Sequence, residues 1–248
     1  MTLNSLLRRI KQPFQSGNGW AERTQRDHDR ILALLPTLLK ARSNCVDVGA
    51  HSGEWLDYFL RFAPEGKHCG FEALPELAEG LRVKYPTVRV ESCAVADKNG
   101  QATFHRAVNQ PGWSGLQKQH YGSDTAVEEF QVPLKTLDTL IGPDAVVAFI
   151  KLDIEGAEYS ALQGGRQMVL RCRPAMIFEY AFVHVENYHI SPEMMWNLLV
   201  GEYKMGLYGL DRSPIATQAI WAQKCQYASE SNYGKDAETN FLALPAGA

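Results

Sequence analysis

Residues 46–53 constrain this chain's fold more than any other stretch: Val46-Asp47-Val48-Gly49-Ala50-His51-Ser52-Gly53. An apolar strand runs straight into glycines, and a helical pattern opens at Glu54. Missing Cβ atoms at Gly49 and Gly53 let a ligand approach the backbone. The helix start offers free N–H groups and positive potential. The spacing is Gly-x-x-x-Gly, not the Gly-x-Gly-x-x-Gly of dinucleotide enzymes. Asp47 adds a negative charge where a pyrophosphate would sit, which suits a ligand carrying an ammonium group instead.

From here strand and helix patterns alternate. Strands are expected at 45–48, 68–72 and 88–92, with helices at 54–62 and from Pro75, a residue suited to a first helical position. Strands at this pace separated by helices mean right-handed crossovers and a parallel sheet. Residues 101–108 and 128–134 then alternate as an antiparallel pair, with a long polar loop, 109–125, between them. The run 146–152 is continuously apolar apart from Lys151, as a central strand buried on both faces would be. A helix is expected over about 157–170, a strand at 175–179, a helix near 193–200, and strands near 205–210 and 240–244. The stretch 211–238 has no clear pattern. Before the domain, residues 26–35 read as an amphipathic helix interrupted near Pro36, packed on the domain or on a second subunit. The division is thus a helical extension over 1–40 and a main domain over 41–248.

With 248 residues, 45% hydrophobic and 21% charged, the chain has globular proportions. Its net charge of −3 gives no basic surface for nucleic acid, and Arg8, Arg9 and Lys11 make only a small cluster. No run approaches the roughly 20 apolar residues of a membrane span. No signal peptide is evident at the N-terminus. Five cysteines without a CxxC pair read as small buried hydrophobes in a reducing cytoplasm.

Chemistry concentrates at strand ends, the edge where open α/β sheets bind ligands. Glu72 ends the second strand, where a carboxylate can accept hydrogen bonds from both hydroxyls of a ribose. With the preceding turn it indicates an adenosine ligand. Cys93 and Ala94 end the third strand, where small side chains leave room for an adenine ring. Lys151-Leu152-Asp153-Ile154-Glu155-Gly156-Ala157-Glu158 puts three acids after the most apolar strand. An acid such as Asp153 there needs partners, whereas Glu158 suits a first helical turn.

Taken together, residues 46–53, Phe71-Glu72-Ala73, Val132-Pro133-Leu134-Lys135-Thr136-Leu137-Asp138 and the 151–158 block resemble the FkbM-type family of S-adenosylmethionine-dependent methyltransferases. The similarity runs collinearly over about 44–244, and the 151–158 block is its most specific part. The resemblance implies a class I methyltransferase (Rossmann-like) fold: a doubly wound seven-stranded α/β sheet with its last strand antiparallel. It implies S-adenosylmethionine held by Asp47, Gly49, His51, Ser52 and Gly53, with the ribose on Glu72 beside Ala73, the adenine at Cys93 and Ala94, and Asp153 near the ligand. It also implies methylation of a hydroxyl oxygen on a sugar, glycan or natural-product scaffold.

A hydroxyl acceptor needs a base, and Asp153, Glu179 and His184 all stand at or just after carboxyl ends of central strands. His184 is attractive for a pKa near neutrality. Trp113, in the long loop, is expected to offer a stacking face to the acceptor, and Tyr180, Phe182, His184, Tyr188 and His189 to line its pocket. Asp153, Glu155 and Glu179 are hard ligands that would suit magnesium, but no spacing demands a metal and none is expected. An NAD-dependent oxidoreductase shares the sheet and the ribose acid but not the turn. A non-catalytic adenosine-binding module shares all three. A homodimer through the N-terminal helix is a further expectation.

Overall fold

The computed structural model describes residues 19–119, 125–226 and 238–247. Helix α1 (Gly19–Leu38) leads into strand β1 (Cys45–Val48), α2 (Glu54–Phe62), β2 (Cys69–Glu72), α3 (Pro75–Lys84) and β3 (Arg89–Ser92). A three-stranded excursion follows: β4 (Ala94–Val95), β5 (Gly100–Ala107) and β6 (Val127–Lys135). The main sheet resumes after α4 (Leu137–Ile141) with β7 (Phe149–Leu152), α5 (Glu158–Gly164), α6 (Arg166–Cys172) and β8 (Ala175–Glu179). The last elements are α7 (Phe182–Val185), α8 (Pro192–Trp196), β9 (Met205–Gly209), β10 (Pro214–Ile215), α9 (Gln218–Gln226) and β11 (Asn240–Pro245).

The main sheet runs β10-β9-β11-β8-β7-β1-β2-β3. β3, β2, β1, β7 and β8 are parallel. β11 inserts antiparallel between β8 and β9. Chain order reverses between β1 and β7, which creates the switch point at which such sheets bind ligands. The expected doubly wound sheet with an antiparallel last strand is present, with eight strands rather than seven. The extra one, β10, comes from the stretch whose pattern was unreadable. Two residues are too few to show a period, and Pro214, lacking an N–H, fits an edge position.

Other expectations shift for local reasons. β7 begins only at Phe149 and Val146 is 65% exposed; ahead of the strand, the Asn44 side chain donates to the Val146 carbonyl and the Asn44 carbonyl accepts from the Ala148 N–H. The helix expected over 157–170 breaks into α5 and α6 at Gly164–Gly165, where close contact with the Ala96 carbonyl leaves no room for a Cβ. Pro36 does not interrupt α1. It lies in the last turn, two residues before the helix ends, so a single lost hydrogen bond is tolerated. The cluster Arg8, Arg9 and Lys11, and residues 120–124 of the long loop, lie outside the described residues. All five cysteines are free thiols.

One side of the sheet is filled by Trp221, Tyr180, Phe178, Phe241 and Tyr203 among others. On the other, Leu34, Leu35 and Leu39 of the α1 region pack with Leu56, Phe59, Phe149 and Leu242. Helix α1 therefore spends its apolar face on the domain itself. Phe149 is fully buried, stacked on Trp55 and edge-on to Phe59. No helix among the described residues is long and apolar enough to cross a membrane. Phe149→Ala should destabilise the chain by about 3–5 kcal/mol, read by urea denaturation, because the cavity lies under rigid strands and cannot collapse.

Candidate active site

The register pairs Asp47 with Lys151 and Val48 with Leu152. The two carboxyl ends are pressed so close that a Cβ on Gly49 would stand 2.0 Å from the Asp153 carbonyl oxygen. Gly49 has φ +83°, so the position excludes other residues by conformation as well as by space. The turn is tied to the neighbouring strand by Gly49 and Ala50 N–H groups, both donating to the Phe71 carbonyl at 2.9 and 3.0 Å.

Glu72 is only 6% exposed. Its Oε2 accepts from the His51 N–H at 2.7 Å and its Oε1 from the Leu74 N–H at 2.9 Å. Burial raises its pKa, against the lowering effect of those two donors. Each oxygen keeps a lone pair, and the carboxylate lines two cavities. One, of about 240 Å³, is walled by Gly49, His51, Ser52, Glu54 and Asp153. The other is a slot of about 50 Å³ between Ala73, Cys93, Ala94, Phe104 and Leu116. The slot is mostly apolar, which suits an adenine ring. Gly53 shapes the turn without lining either.

Asp47 does not reach the cavity. Its fully buried carboxylate faces the Lys151 ammonium at 3.3 Å, and that ammonium donates to the Gly49 carbonyl at 2.7 Å and lies 3.7 Å from Asp153. The ammonium group that Asp47 meets is thus the protein's own. Burial pushes the Asp47 carboxyl up to about 6, partly offset by Lys151. Burial alone would lower Lys151, but Asp47 and Asp153 outweigh it and hold it above its ordinary value. The one charged residue in an otherwise apolar strand was the signal for Lys151.

A further cavity, of about 300 Å³, shares Glu54, Trp55, Lys151, Asp153 and Glu155 with the first. Glu179, His184 and Trp113 line it too, so Asp153, Glu179 and His184 do come together. Its far wall is α1, through Arg23, Thr24, Asp27, His28 and Ile31, which periodicity alone could not assign to a site. His184 Nδ1 lies 3.0 Å from Glu179 Oε2 and 3.1 Å from Glu155 Oε2. Burial would lower the imidazole, but these carboxylates outweigh it and push it up to about 10. The reason for choosing His184 as a base, a pKa near neutrality, therefore fails in this geometry. Burial also drives Glu155 well above the carboxylate range and Glu158 up to about 8. Of Tyr180, Phe182, His184, Tyr188 and His189, only His184 lines the cavity. Tyr180 packs in the core against Trp221, Phe182 is exposed, and the Tyr188 hydroxyl accepts from the Gln117 N–H at 3.1 Å, pinning the long loop.

A family model described as the methyltransferase FkbM domain matches residues 47–204. The chain belongs to the FkbM methyltransferase family. Its fold is similar to that of the methyltransferase FkbM from Methylobacillus flagellatus KT, at 15% identity and a TM-score of 0.51 over 85% of this chain and 47% of that one. The match thus spans about half of that protein's length. The YcgJ protein from Bacillus subtilis aligns at 13% identity and a TM-score of 0.45, over 89% of this chain and 100% of that one. A comparison with curated proteins finds no match. The cofactor of this methyltransferase is S-adenosylmethionine. The site fits it: Glu72 has lone pairs to spare for a ribose, the apolar slot admits an adenine, and the acidic lining complements a cationic ligand.

Truncating one member of a buried ion pair leaves the other charge uncompensated. Lys151→Met should therefore destabilise by about 3–5 kcal/mol. Adding Asp47→Leu should recover part of that loss, and a urea-denaturation cycle of the two variants and their double measures it.

Proposed function

We propose that this FkbM methyltransferase is an O-methyltransferase acting on a hydroxyl of a sugar, glycan or natural-product scaffold. One observation carries the reading: Asp153 lines both the cavity beside Glu72 and the one beneath α1. A carboxylate there can touch a methyl donor's reacting end and an acceptor hydroxyl at once. Methyl transfer needs oxygen, carbon and sulfur in line, and two cavities that share a wall would let donor and acceptor meet there.

When bound, S-adenosylmethionine supplies a methyl group already activated on a sulfonium. Glu72 accepts hydrogen bonds from the ribose hydroxyls, while Ala73, Cys93 and Ala94 flank the adenine. Gly49, His51 and Ser52 bring the turn's backbone against the remainder of the ligand. Asp47 acts from behind, holding Lys151 against the Gly49 carbonyl. Glu54 and Asp153 complement the ligand's positive charge and would repel the pyrophosphate of a dinucleotide.

On the acceptor side Trp55, Tyr58 and Trp113 contribute aromatic rings to the lining, and Glu179 and Asp27 contribute carboxyl groups. Rings to stack on and carboxylates to receive hydroxyl protons are what a polyol requires. Asp153 takes the acceptor proton as the carbon–oxygen bond forms. We assign the catalytic domain to residues 41–248, with α1 as part of its acceptor wall.

The test is methyl transfer from labelled S-adenosylmethionine to a panel of glycosides and hydroxylated scaffolds. Label in a base-stable ether supports the reading, whereas label in a base-labile ester or on nitrogen overturns it. Asp153→Asn should lower turnover by about 10²–10⁴-fold, the range of a positioned base. S-adenosylhomocysteine affinity, measured by calorimetry, should fall far less.

A further inference from the structure

We propose that Glu155, Glu179 and His184 form a divalent-cation site on the acceptor side of the active-site cavity. The site is independent of the acceptor's identity. Its donors come from three places in the chain: the loop after β7, the end of β8, and α7. His184 Nδ1 stands 3.0 Å from Glu179 Oε2 and 3.1 Å from Glu155 Oε2, and all three atoms lie within 4.8 Å of one another. Ligands on adjacent corners of an octahedron with bonds of ~2.1 Å are about 3 Å apart. Two edges of the triangle already have that length.

Hydrogen bonding accounts for only one of those edges. Nδ1 can carry one proton, and its hydrogen bond is with Glu179. Glu155 Oε2 is buried with no hydrogen-bond partner although it faces a second carboxylate. His184 is only 5% exposed, so the ring is fixed inside the cluster with Nδ1 toward the carboxylates. Two carboxylates therefore share one Nδ1 proton, and a divalent cation taking that proton's place would give Glu155 Oε2 the partner it lacks. Asp153 and Glu158 add two more carboxylates within 4.8 Å of Glu179. Lys151 lies near Asp153, but its hydrogen bond is with Gly49 and its shorter carboxylate contact is with Asp47.

The placement is built into the backbone. Glu155 has φ +57°, and a Cβ on Gly156 would meet the His184 carbonyl oxygen at 2.7 Å. The loop after β7 is therefore held against α7 with Glu155 turned toward the imidazole. One imidazole with two carboxylates favours Mn²⁺ or Zn²⁺ over Ca²⁺. All three residues line the roughly 300 Å³ cavity, so further coordination positions open toward an acceptor. An acceptor hydroxyl bound there would lose its proton more readily. Spacing along the chain gave no such expectation, because the set exists only once the loop, β8 and α7 have packed.

The experiment is Mn²⁺ titration of the chelator-treated full chain, followed by electron paramagnetic resonance at fixed pH, with and without S-adenosylhomocysteine. One Mn²⁺ should bind per chain. Glu179→Gln and His184→Gln should each weaken it by at least 10-fold, while Glu54→Gln, in the cavity but outside the triad, should change it less than 3-fold, against the 10–100-fold typical of site disruption. Circular dichroism checks each variant's fold. Absence of Mn²⁺ binding by the unaltered chain up to millimolar concentration overturns the site, whatever the variants do. Binding that survives both triad substitutions overturns it as well.

Discussion

The contact between the carboxyl ends of β1 and β7 organises the whole molecule. Gly49 has no Cβ because the Asp153 carbonyl occupies its place, and the buried Asp47–Lys151 pair holds the two strand ends in register. Lys151 also caps the Gly49 carbonyl, so the turn's direction is set from inside the sheet. With the turn fixed, the His51 N–H reaches Glu72, and the carboxylate we propose for the ribose is held in place by the fold itself. The charges at the centre of this sheet are therefore supports for a backbone turn, and that turn carries Gly49, His51 and Ser52, which line the cavity beside Glu72.

That arrangement gives two cavities a common wall. The wall is acidic, which fits a cationic methyl donor on one side and hydroxyl groups on the other. Much of the acceptor side lies outside the segment that matches the family: α1 and Asn240 close it, whereas the cofactor side falls almost wholly within 47–204. The second cavity thus draws part of its lining from outside the family-matched segment, while the first does not. Helix α1 can vary its cavity-facing residues without disturbing the leucines that anchor it to Phe59 and Phe149.

The parts legible in the sequence were those set by local pattern. Glycine spacing, strand-end acids and alternating periods located the turn, Glu72 and the parallel sheet. Features set by packing were not legible. β10 is too short for a period, and the break at Gly164–Gly165 depends on the Ala96 carbonyl across the domain. Asp47 was read as facing a ligand because its distant register partner, Lys151, could not be seen. The His184 titration was misjudged because the carboxylates beside it come from other elements. Tyr180 and Phe182 alternate along the chain as pocket residues might, yet one packs in the core and the other meets solvent.

The most direct test of the central claim, that the turn and Glu72 build an adenosyl site for a methyl donor, is calorimetric titration with S-adenosylhomocysteine and, separately, NADH. The account predicts one S-adenosylhomocysteine per chain, no measurable NADH binding, and loss of the first signal in Glu72→Ala. Binding of NADH alone, or S-adenosylhomocysteine affinity indifferent to Glu72, would contradict it.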